Sequence, residues 1–143
     1  MHVEIFSLCE FARMYGGRLV LSAPFDHIGA SAAPIHQMCS VAIRVRFELT
    51  EVGECPFKFN VIDADGQPVI PPLQGNAQIA AQPGQMSSCL TMAIGMNLTL
   101  PKPGRYSVRL TLKGLEIASL PLDVVLAPPP QSDAPRGEPE RSN

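Results

Sequence analysis

The sequence predicts an all-β protein, an antiparallel sandwich of seven to eight strands with immunoglobulin-like Greek-key architecture. Apolar and polar residues alternate with a period of two in several segments, which is typical of strands that bury one face. Turn residues separate these segments at short intervals, and no segment between them has the 3.6-residue period of a crossover helix. The chain contains no Trp, so its core differs from the Cys–Trp–Cys core of antibody domains.

The N-terminal segment is predicted to form a hairpin. Residues 2–8 begin extended, a Gly-Gly pair at 16–17 supplies a tight turn, and residues 18–22 return as a second strand. A single helical turn over residues 9–14 is the alternative for the connection. Residues 23–37 are rich in Ala, Gly, Ser and Pro, and we expect a loop there.

The middle of the chain is expected to supply central strands. Residues 41–50 alternate strictly, and the pattern resumes after a turn at 51–56. An Asp-Gly pair at 65–66 then indicates a hairpin turn. The next stretch has room for one short edge strand near residues 77–81, because proline and glycine disfavour a central strand. The side chains predicted to face inward are Val41, Ile43, Val45, Phe47, Leu49, Phe57, Phe59 and Val61.

The segment LPKPGRYSVRLTLKG, residues 100–114, predicts a turn rich in proline and glycine followed by a strand. Tyr106, Val108, Leu110 and Leu112 fall on its inward face. Tyr106 directly follows the turn, as in the tyrosine corner of Greek-key sandwiches, where the hydroxyl bonds nearby backbone. A catalytic tyrosine is the alternative, but the sequence shows no positioned partner for it.

Two further long strands are predicted at residues 88–100 and 115–126. In the first, every second residue from Leu90 to Leu100 is apolar, and the opposite face is unusually small. In the second, the inward positions change parity, because they are Leu115, Ile117, Leu120, Leu122, Val124 and Leu126. A change of parity requires one extra residue, so we expect a β-bulge near residues 118–121. Pro121 indicates an edge strand, or a point where one side of the strand is unpaired.

The chain is predicted to consist of one β-sandwich domain, residues 1–127, and a disordered proline-rich tail, residues 128–143. The tail contains five of the fifteen prolines and few apolar residues, so it cannot offset the entropy cost of folding. The domain keeps nine of the eleven basic and ten of the thirteen acidic residues. A domain so close to neutral gives no reason to expect a nucleic acid or a membrane as partner.

The N-terminus and the cysteines bear on the compartment. The first residues lack the basic start and apolar stretch of a signal peptide, and no window approaches the roughly 18 apolar residues of a membrane span. We therefore expect a cytoplasmic protein. Cys9, Cys39, Cys55 and Cys89 are then expected to be reduced thiols, because cytosolic disulfides are rare.

Metal sites are only weakly indicated, and no metal or cofactor is assigned. Residues 63–66 resemble the start of a calcium loop, but Pro68 stands where glycine is required and Gln74 where a bidentate glutamate is required. His36 and Cys39 have a spacing suited to zinc, without a second close pair. The other candidate ligands are scattered along the chain: His2, His27, Cys9, Cys55 and Cys89.

No residue is assigned a catalytic or cofactor-binding role, because the chain lacks a Gly-x-Ser-x-Gly elbow and a glycine-rich phosphate loop. The segment PFDHIG is the first candidate if a site exists, since loops carry function more often than cores do. Its candidate residues are Phe25, Asp26 and His27. The alternative is a packed loop that Phe25 and Ile28 anchor under the sheet.

Outward basic residues could form a patch if their strands were neighbours in one sheet. These residues are Arg44, Arg46, Arg105, Arg109 and Lys113. Glu48, Glu51 and Glu116 lie close to them in sequence and would interrupt such a patch. We therefore expect a solvated face of mixed charge.

Three segments, LCEFARMYGGRLVLSAPFDHI, FNVIDADGQPV and LPKPGRYSVRLTLKG, together resemble a family of small bacterial proteins whose domain has no known function. The resemblance extends over residues 1–126 and leaves out the tail. It implies a bacterial cytoplasmic sandwich with an opening hairpin, an Asp-Gly turn and a Pro-Gly-x-Tyr strand. It implies no activity, cofactor or catalytic residue.

These features favour a non-catalytic binding or scaffold domain that recognises a protein partner, because sandwich strands are present without a catalytic constellation. An edge strand that pairs with a strand of the partner is a common mode of recognition. Two alternatives stay open. One is a metal-binding protein or small enzyme with a site on the loop from Pro24 to Gly29. The other is a structural protein that forms a homodimer through an exposed edge.

Overall fold

A computed structural model describes residues 1–127, and the predicted disordered tail, residues 128–143, lies outside the described residues. The described chain forms nine strands and one short 3₁₀ helix. In chain order these are β1 (His2–Tyr15), β2 (Arg18–Pro24), β3 (His27–Ala30), β4 (Ile35–Glu48), the 3₁₀ helix (Leu49–Glu51), β5 (Gly53–Ile62), β6 (Leu73–Ile79), β7 (Ser87–Leu100), β8 (Gly104–Leu112) and β9 (Leu115–Leu126).

The strands form two sheets that share one core. The first sheet has the order β2-β1-β4-β7, and the second has the order β3-β9-β8-β5-β6. The chain changes sheet after β2, β3, β4, β6 and β7. The predicted all-β, immunoglobulin-like sandwich is confirmed. The described residues contain nine strands rather than seven to eight, and the pair β3–β9 is parallel whereas the other pairs are antiparallel.

The core lies between β4 of the first sheet and β5, β8 and β9 of the second. The alternation predicted for residues 41–47 and 106–112 is confirmed, because the inward side chains there are buried. The prediction for Leu49 is wrong. The strand ends at Glu48, whose backbone N–H donates to the Glu51 carboxylate at 3.0 Å, and the 3₁₀ turn that follows leaves Leu49 exposed. Leu115 and Leu126 are also exposed, because they lie at the two ends of β9.

The predicted tyrosine corner is confirmed. Tyr106 is buried, and its hydroxyl donates to the backbone carbonyl of Lys102 at 2.6 Å. The bond joins the start of β8 to the turn that leaves β7, so the corner fixes where the chain crosses from the first sheet to the second. The role of Tyr106 in the structure is therefore architectural.

The predicted Asp-Gly turn is present between β5 and β6. The Asp63 carboxylate accepts hydrogen bonds from the backbone N–H groups of Asp65 and Gln67, both at 2.9 Å. Gly66 has a φ of 81°, a conformation that glycine adopts without steric cost. The predicted edge strand is also present, as β6 at one edge of the second sheet.

In the first third of the chain, the alternative for residues 9–14 is excluded, and the prediction for residues 23–37 is partly wrong. Residues 9–14 continue β1 and do not form a helical turn. Residues 23–37 are not all loop, because they contain the short strand β3 and the start of β4. β3 consists of only four residues, and its partner β9 lies near the other end of the domain, so local composition does not reveal it.

The predicted bulge in the last strand is present one residue earlier than expected. Leu110 lies opposite Ala118 and Thr111 lies opposite Glu116, so Ile117 has no opposite residue on β8. This extra residue produces the change of parity that the sequence shows. Within residues 1–127, no helix has both the length and the apolar character needed to cross a membrane.

Candidate functional site

One side of the sandwich has unpaired strand edges in both sheets. β1 pairs with β4 over His2–Cys9, and β2 pairs with the opposite edge of β1 only from Cys9 to Tyr15. Among the described residues, 1–127, no strand therefore pairs with residues 2–8 of β1 on that edge. In the second sheet, β3 pairs with β9 only over Asp123–Leu126, so residues 115–122 of β9 also have no strand on that edge in the part of the chain that the structure describes. We call this region the open side.

The chain crosses from the first sheet to the second at the end of the open side. Ala23 adopts a left-handed φ of 53° just before the crossing, which turns the chain out of β2. The backbone N–H of Phe25 donates to the Leu8 carbonyl at 2.9 Å, and the Asp26 carbonyl accepts from the N–H of Asp123 at 2.9 Å. The crossing is therefore attached to both sheets, which holds Phe25 between them.

An apolar groove occupies the open side next to this crossing. It has a volume of about 420 Å³, within the range of small-molecule pockets. Its walls are residues of β1, of the crossing and of β9: Phe6, Ser7, Leu8, Pro24, Phe25, Asp26, Leu120 and Pro121. A smaller cavity of about 180 Å³ lies on the other side of Phe25, against Ile28 and Gln37. Phe25 thus forms a wall common to both.

Of the three candidate residues of the loop, two form a polar pair, in which Asp26 lines this groove and His27 lines the smaller cavity. His27 Nδ1 lies 3.0 Å from Asp26 Oδ1, although the sequence alone did not show that these neighbours were in contact. The side chains of Asp26 and His27 are 82% and 72% exposed. A pair so exposed has little of the desolvation that activates catalytic carboxylates and imidazoles. Phe25 is half-buried and packs against the core, as the alternative of a packed loop predicts.

His36 and Cys39, the candidate zinc ligands with a suitable spacing, do not share a site. His36 Nδ1 lies 3.3 Å from the Thr99 hydroxyl on the neighbouring strand, whereas Cys39 is buried in the core. Burial raises the pKa of the Cys39 thiol to about 11, and the nearby Cys9 adds to that shift. Burial also raises the pKa values of Cys9 and Cys55. Within the described part of the chain, no three His, Cys, Asp or Glu side chains form a group that could hold a metal ion.

The outward basic residues do not form one patch. Arg44 and Arg46 lie in the first sheet, and both bind Glu4, at 2.8 and 2.9 Å. Arg105 and Arg109 lie in the second sheet, where they pair with Asp123 and Glu116 at 2.8 and 3.2 Å. The remaining member, Lys113, donates to the carbonyl of Glu51 at 2.6 Å. The expected mixed-charge face is what the structure shows.

A β-bulge explains why the groove was not visible in the sequence. The register of β1 against β4 shifts between Val3 and Ile5, so Glu4 has no opposite residue on β4. Beyond the bulge, Phe6 lies opposite Ile43 and Leu8 opposite Val41, which places both side chains on the core face of the sheet. The sequence signal for the other wall was Pro121, which was predicted to lie where one side of its strand is unpaired and does so.

Comparison with known proteins identifies a family but no activity. No curated protein matches the chain. Among solved structures, the CARDB domain of the PF1109 protein from Pyrococcus furiosus, determined in complex with di-metal ions, is similar at 11% identity and a TM-score of 0.41; the match covers 87% of this chain and 93% of that domain. A family model described as a family of unknown function, DUF6941, matches residues 4–125. The chain therefore belongs to the DUF6941 family.

Proposed function

We propose that this chain is a non-catalytic binding domain that recognises a protein partner by accepting an extended segment of that partner along β1. The observation that supports the proposal is the open side, where an apolar groove lies beside a strand edge with which no strand of residues 1–127 pairs. Addition of a strand to a sheet edge provides main-chain hydrogen bonds for affinity and side-chain pockets for specificity. The open side offers both features at one place.

The two edges of the open side are not equivalent. Because Leu8 accepts from Phe25, its backbone groups point to the open side, and those of Phe6, two residues earlier, point the same way. On β9, the N–H of Asp123 points toward β3, so residue 121 would point an N–H to the open side. Residue 121 is proline and has no N–H to donate. We therefore assign β1 as the edge that receives the partner, with β9 protected by Pro121.

The groove indicates what the partner segment contains. Side chains of an added strand alternate between the two faces of the sheet, so every second one would face inward toward Phe6, Phe25 and Leu120. These walls favour an apolar side chain. The exposed Asp26 side chain lies at the rim, where a polar neighbour of that apolar side chain would stay solvated. The domain would work in a bacterial cytoplasm, where its four free cysteines stay reduced.

The experiment is affinity capture with the full chain as bait, followed by binding measurements on the captured protein with matched variants. Phe6→Ala removes one groove wall and keeps the backbone N–H, whereas Phe6→Pro removes both. We expect Phe6→Ala to weaken binding about tenfold, which is about 1.4 kcal/mol. Phe6→Pro should weaken it by roughly a further fivefold, because a backbone hydrogen bond contributes about 1 kcal/mol.

Leu73→Ala on β6 is the matched control, because Leu73 is an exposed apolar residue on an edge strand of the other sheet. It should bind like the wild type. Equal losses in Leu73→Ala and Phe6→Ala would contradict the assignment to the open side, as would capture of no protein. The captured protein could be a second copy of this chain. Light scattering at two concentrations would then show a mass that rises with concentration, and the protein would be a homodimer.

A further inference from the structure

The far half of the N-terminal hairpin forms an arm with its own surface. Residues 11–15 of β1 pair with β2 and not with β4. The turn at the tip consists of Gly16 and Gly17, with φ of 56° and 74°, and no atom lies within 4 Å of the position that a Cβ would take at either residue. The tip is therefore open to solvent. We call residues 10–23 the arm.

One face of the arm is aromatic and basic. Phe11, Arg13 and Tyr15 alternate along β1, and the residues opposite them on β2 are Ser22, Val20 and Arg18. Residues directly opposite each other in an antiparallel pair share a face of the sheet, so these six residues form one surface, the arm face. Its apolar members are well exposed, with Tyr15 at 68%, Phe11 at 47% and Val20 at 43%. The arm face contains no acidic residue.

The arginine between the two rings is already placed for recognition. The Arg13 guanidinium lies 5.8 Å from the centroid of Phe11 and 5.5 Å from that of Tyr15. Contact with both rings restrains the guanidinium while its N–H groups stay available, so less conformational entropy is lost when it binds a carboxylate. Tyr and Arg are also enriched among hot spots, the few interface residues that contribute most of the binding energy.

The ion pairs of the domain leave this face positive. Arg44, Arg46, Arg105 and Arg109 each have a carboxylate partner. Within residues 1–127, the arginines without one are Arg13 and Arg18, and both lie on the arm face. A partner surface that complements this face carries carboxylates together with an apolar or aromatic residue.

We propose that the arm face is a second interaction surface, which binds an acidic segment of a protein, independently of the open side. Two arginines are too few for a nucleic acid, whose binding typically neutralises about six to ten phosphates. They are also fewer than the about four to eight clustered basic residues that anionic lipid surfaces require. Two forked donors beside exposed aromatic rings suit a pair of Asp or Glu side chains with an apolar residue between them.

The test uses the full chain on an array of 12-residue peptides that are acidic, neutral or basic and contain the same number of apolar residues. We expect preferential binding of acidic peptides that contain Leu, Phe or Tyr. The double variant Arg13→Gln/Arg18→Gln should lose at least tenfold in affinity for the best peptide, and Tyr15→Ser about fivefold. Arg109→Gln is the matched control, because Arg109 is an exposed strand arginine whose carboxylate partner lies in the same sheet.

Additional measurements distinguish binding of an acidic peptide from binding of a lipid or a nucleic acid, and loss of binding from loss of folding. Anionic phospholipid vesicles and a 20-nucleotide single-stranded DNA are tested in the same buffer, and binding of either with no preference for acidic peptides would overturn the proposal. So would an acidic preference that survives in the double variant or is lost equally in Arg109→Gln. A melting temperature unchanged in the double variant shows that the loss is not unfolding, as expected because both arginines are exposed. Phe6→Pro should leave peptide binding unchanged, which separates this surface from the open side.

Discussion

The Tyr106 hydroxyl donates to the Lys102 carbonyl at 2.6 Å, and this bond closes the corner between β7 and β8. Tyr106→Phe keeps the buried ring and removes this partly buried hydrogen bond. We expect a cost of about 0.5–1.5 kcal/mol in the free energy of unfolding. Tyr106→Ala should cost about 3–5 kcal/mol, as for other large-to-small aromatic substitutions in cores. Urea denaturation of both variants measures these costs.

The control for the corner lies on the same strand. Arg109 points outward and forms an exposed ion pair with Glu116, so Arg109→Ala should cost less than about 0.5 kcal/mol. If Arg109→Ala were the more destabilising substitution, contacts on the outer face of β8 would stabilise the domain more than the buried tyrosine corner does.

A conformational test applies at the crossing. Ala23 has a φ of 53°, which is strained for any residue with a Cβ, so Ala23→Gly should leave stability unchanged or raise it by up to about 1 kcal/mol. Ala12→Gly is the matched control within the regular part of the same hairpin, where glycine should cost about 0.5–1 kcal/mol. Equal destabilisation by the two substitutions would contradict the left-handed conformation at Ala23.

The bulge in β1 predicts a specific dependence of stability on pH. Hydrogen bonds from Arg46 and Arg44 lower the pKa of Glu4 from 4.5 to about 2. Ionised Glu4 therefore stabilises the fold above about pH 4.5, and this contribution is lost as the pH falls toward about 2. The wild type should melt higher than Glu4→Gln at pH 7, and the difference should disappear near pH 2. Glu10→Gln, in the same strand, is the control and should follow the wild type at both pH values.

The four thiols should react in two classes. Burial raises the pKa values of Cys9, Cys39 and Cys55, so these thiols stay protonated and shielded at pH 8. Cys89 is half-buried. We expect a colorimetric disulfide reagent to modify one thiol per native chain at pH 8 and all four in denaturant. Peptide mapping would identify Cys89 as the reactive one, and rapid modification of Cys39 in the native protein would contradict its burial.

Shortening the chain tests where the stability of the domain resides. The described core lies within residues 8–124, so a chain that ends at Ala127 should melt within about 4 °C of the full chain. A larger decrease in melting temperature would mean that residues 128–143 contribute packing to the domain. Differential scanning calorimetry of the two chains at equal concentration decides between these outcomes.

The elements that could be predicted from the sequence are those whose sequence signal lies within one short segment. Alternation along β4 and β8, the Asp-Gly turn and the tyrosine corner each arise within about fifteen residues, and each was correctly predicted. β3 was missed because a segment of four residues is a strand here only through its pairing with β9, and no sequence pattern indicates that pairing.

The candidate site was predictable only in part, for the same reason. Phe25, Asp26 and His27 were singled out; Phe25 and Asp26 line the groove, whereas His27 lines the smaller cavity beside it. The remaining walls were missed because they depend on register. The bulge at Glu4 decides which side chains of β1 face inward, and the early ends of β2 and β3 decide which edges stay open. No property of residues 4–8 alone reveals either fact.

The parallel pair β3–β9 has a consequence for the order of events during synthesis. Roughly 100 residues separate the two strands in the chain, so they cannot join until nearly the whole domain has left the ribosome. The crossing that holds Phe25 is attached to β9 through Asp123, and the groove takes one wall from Leu120 and Pro121. A nascent chain therefore lacks one wall of the groove during most of translation. Under the proposed function, competence to bind at the open side would arise only once β9 has joined its sheet, and an incomplete chain would not sequester the partner.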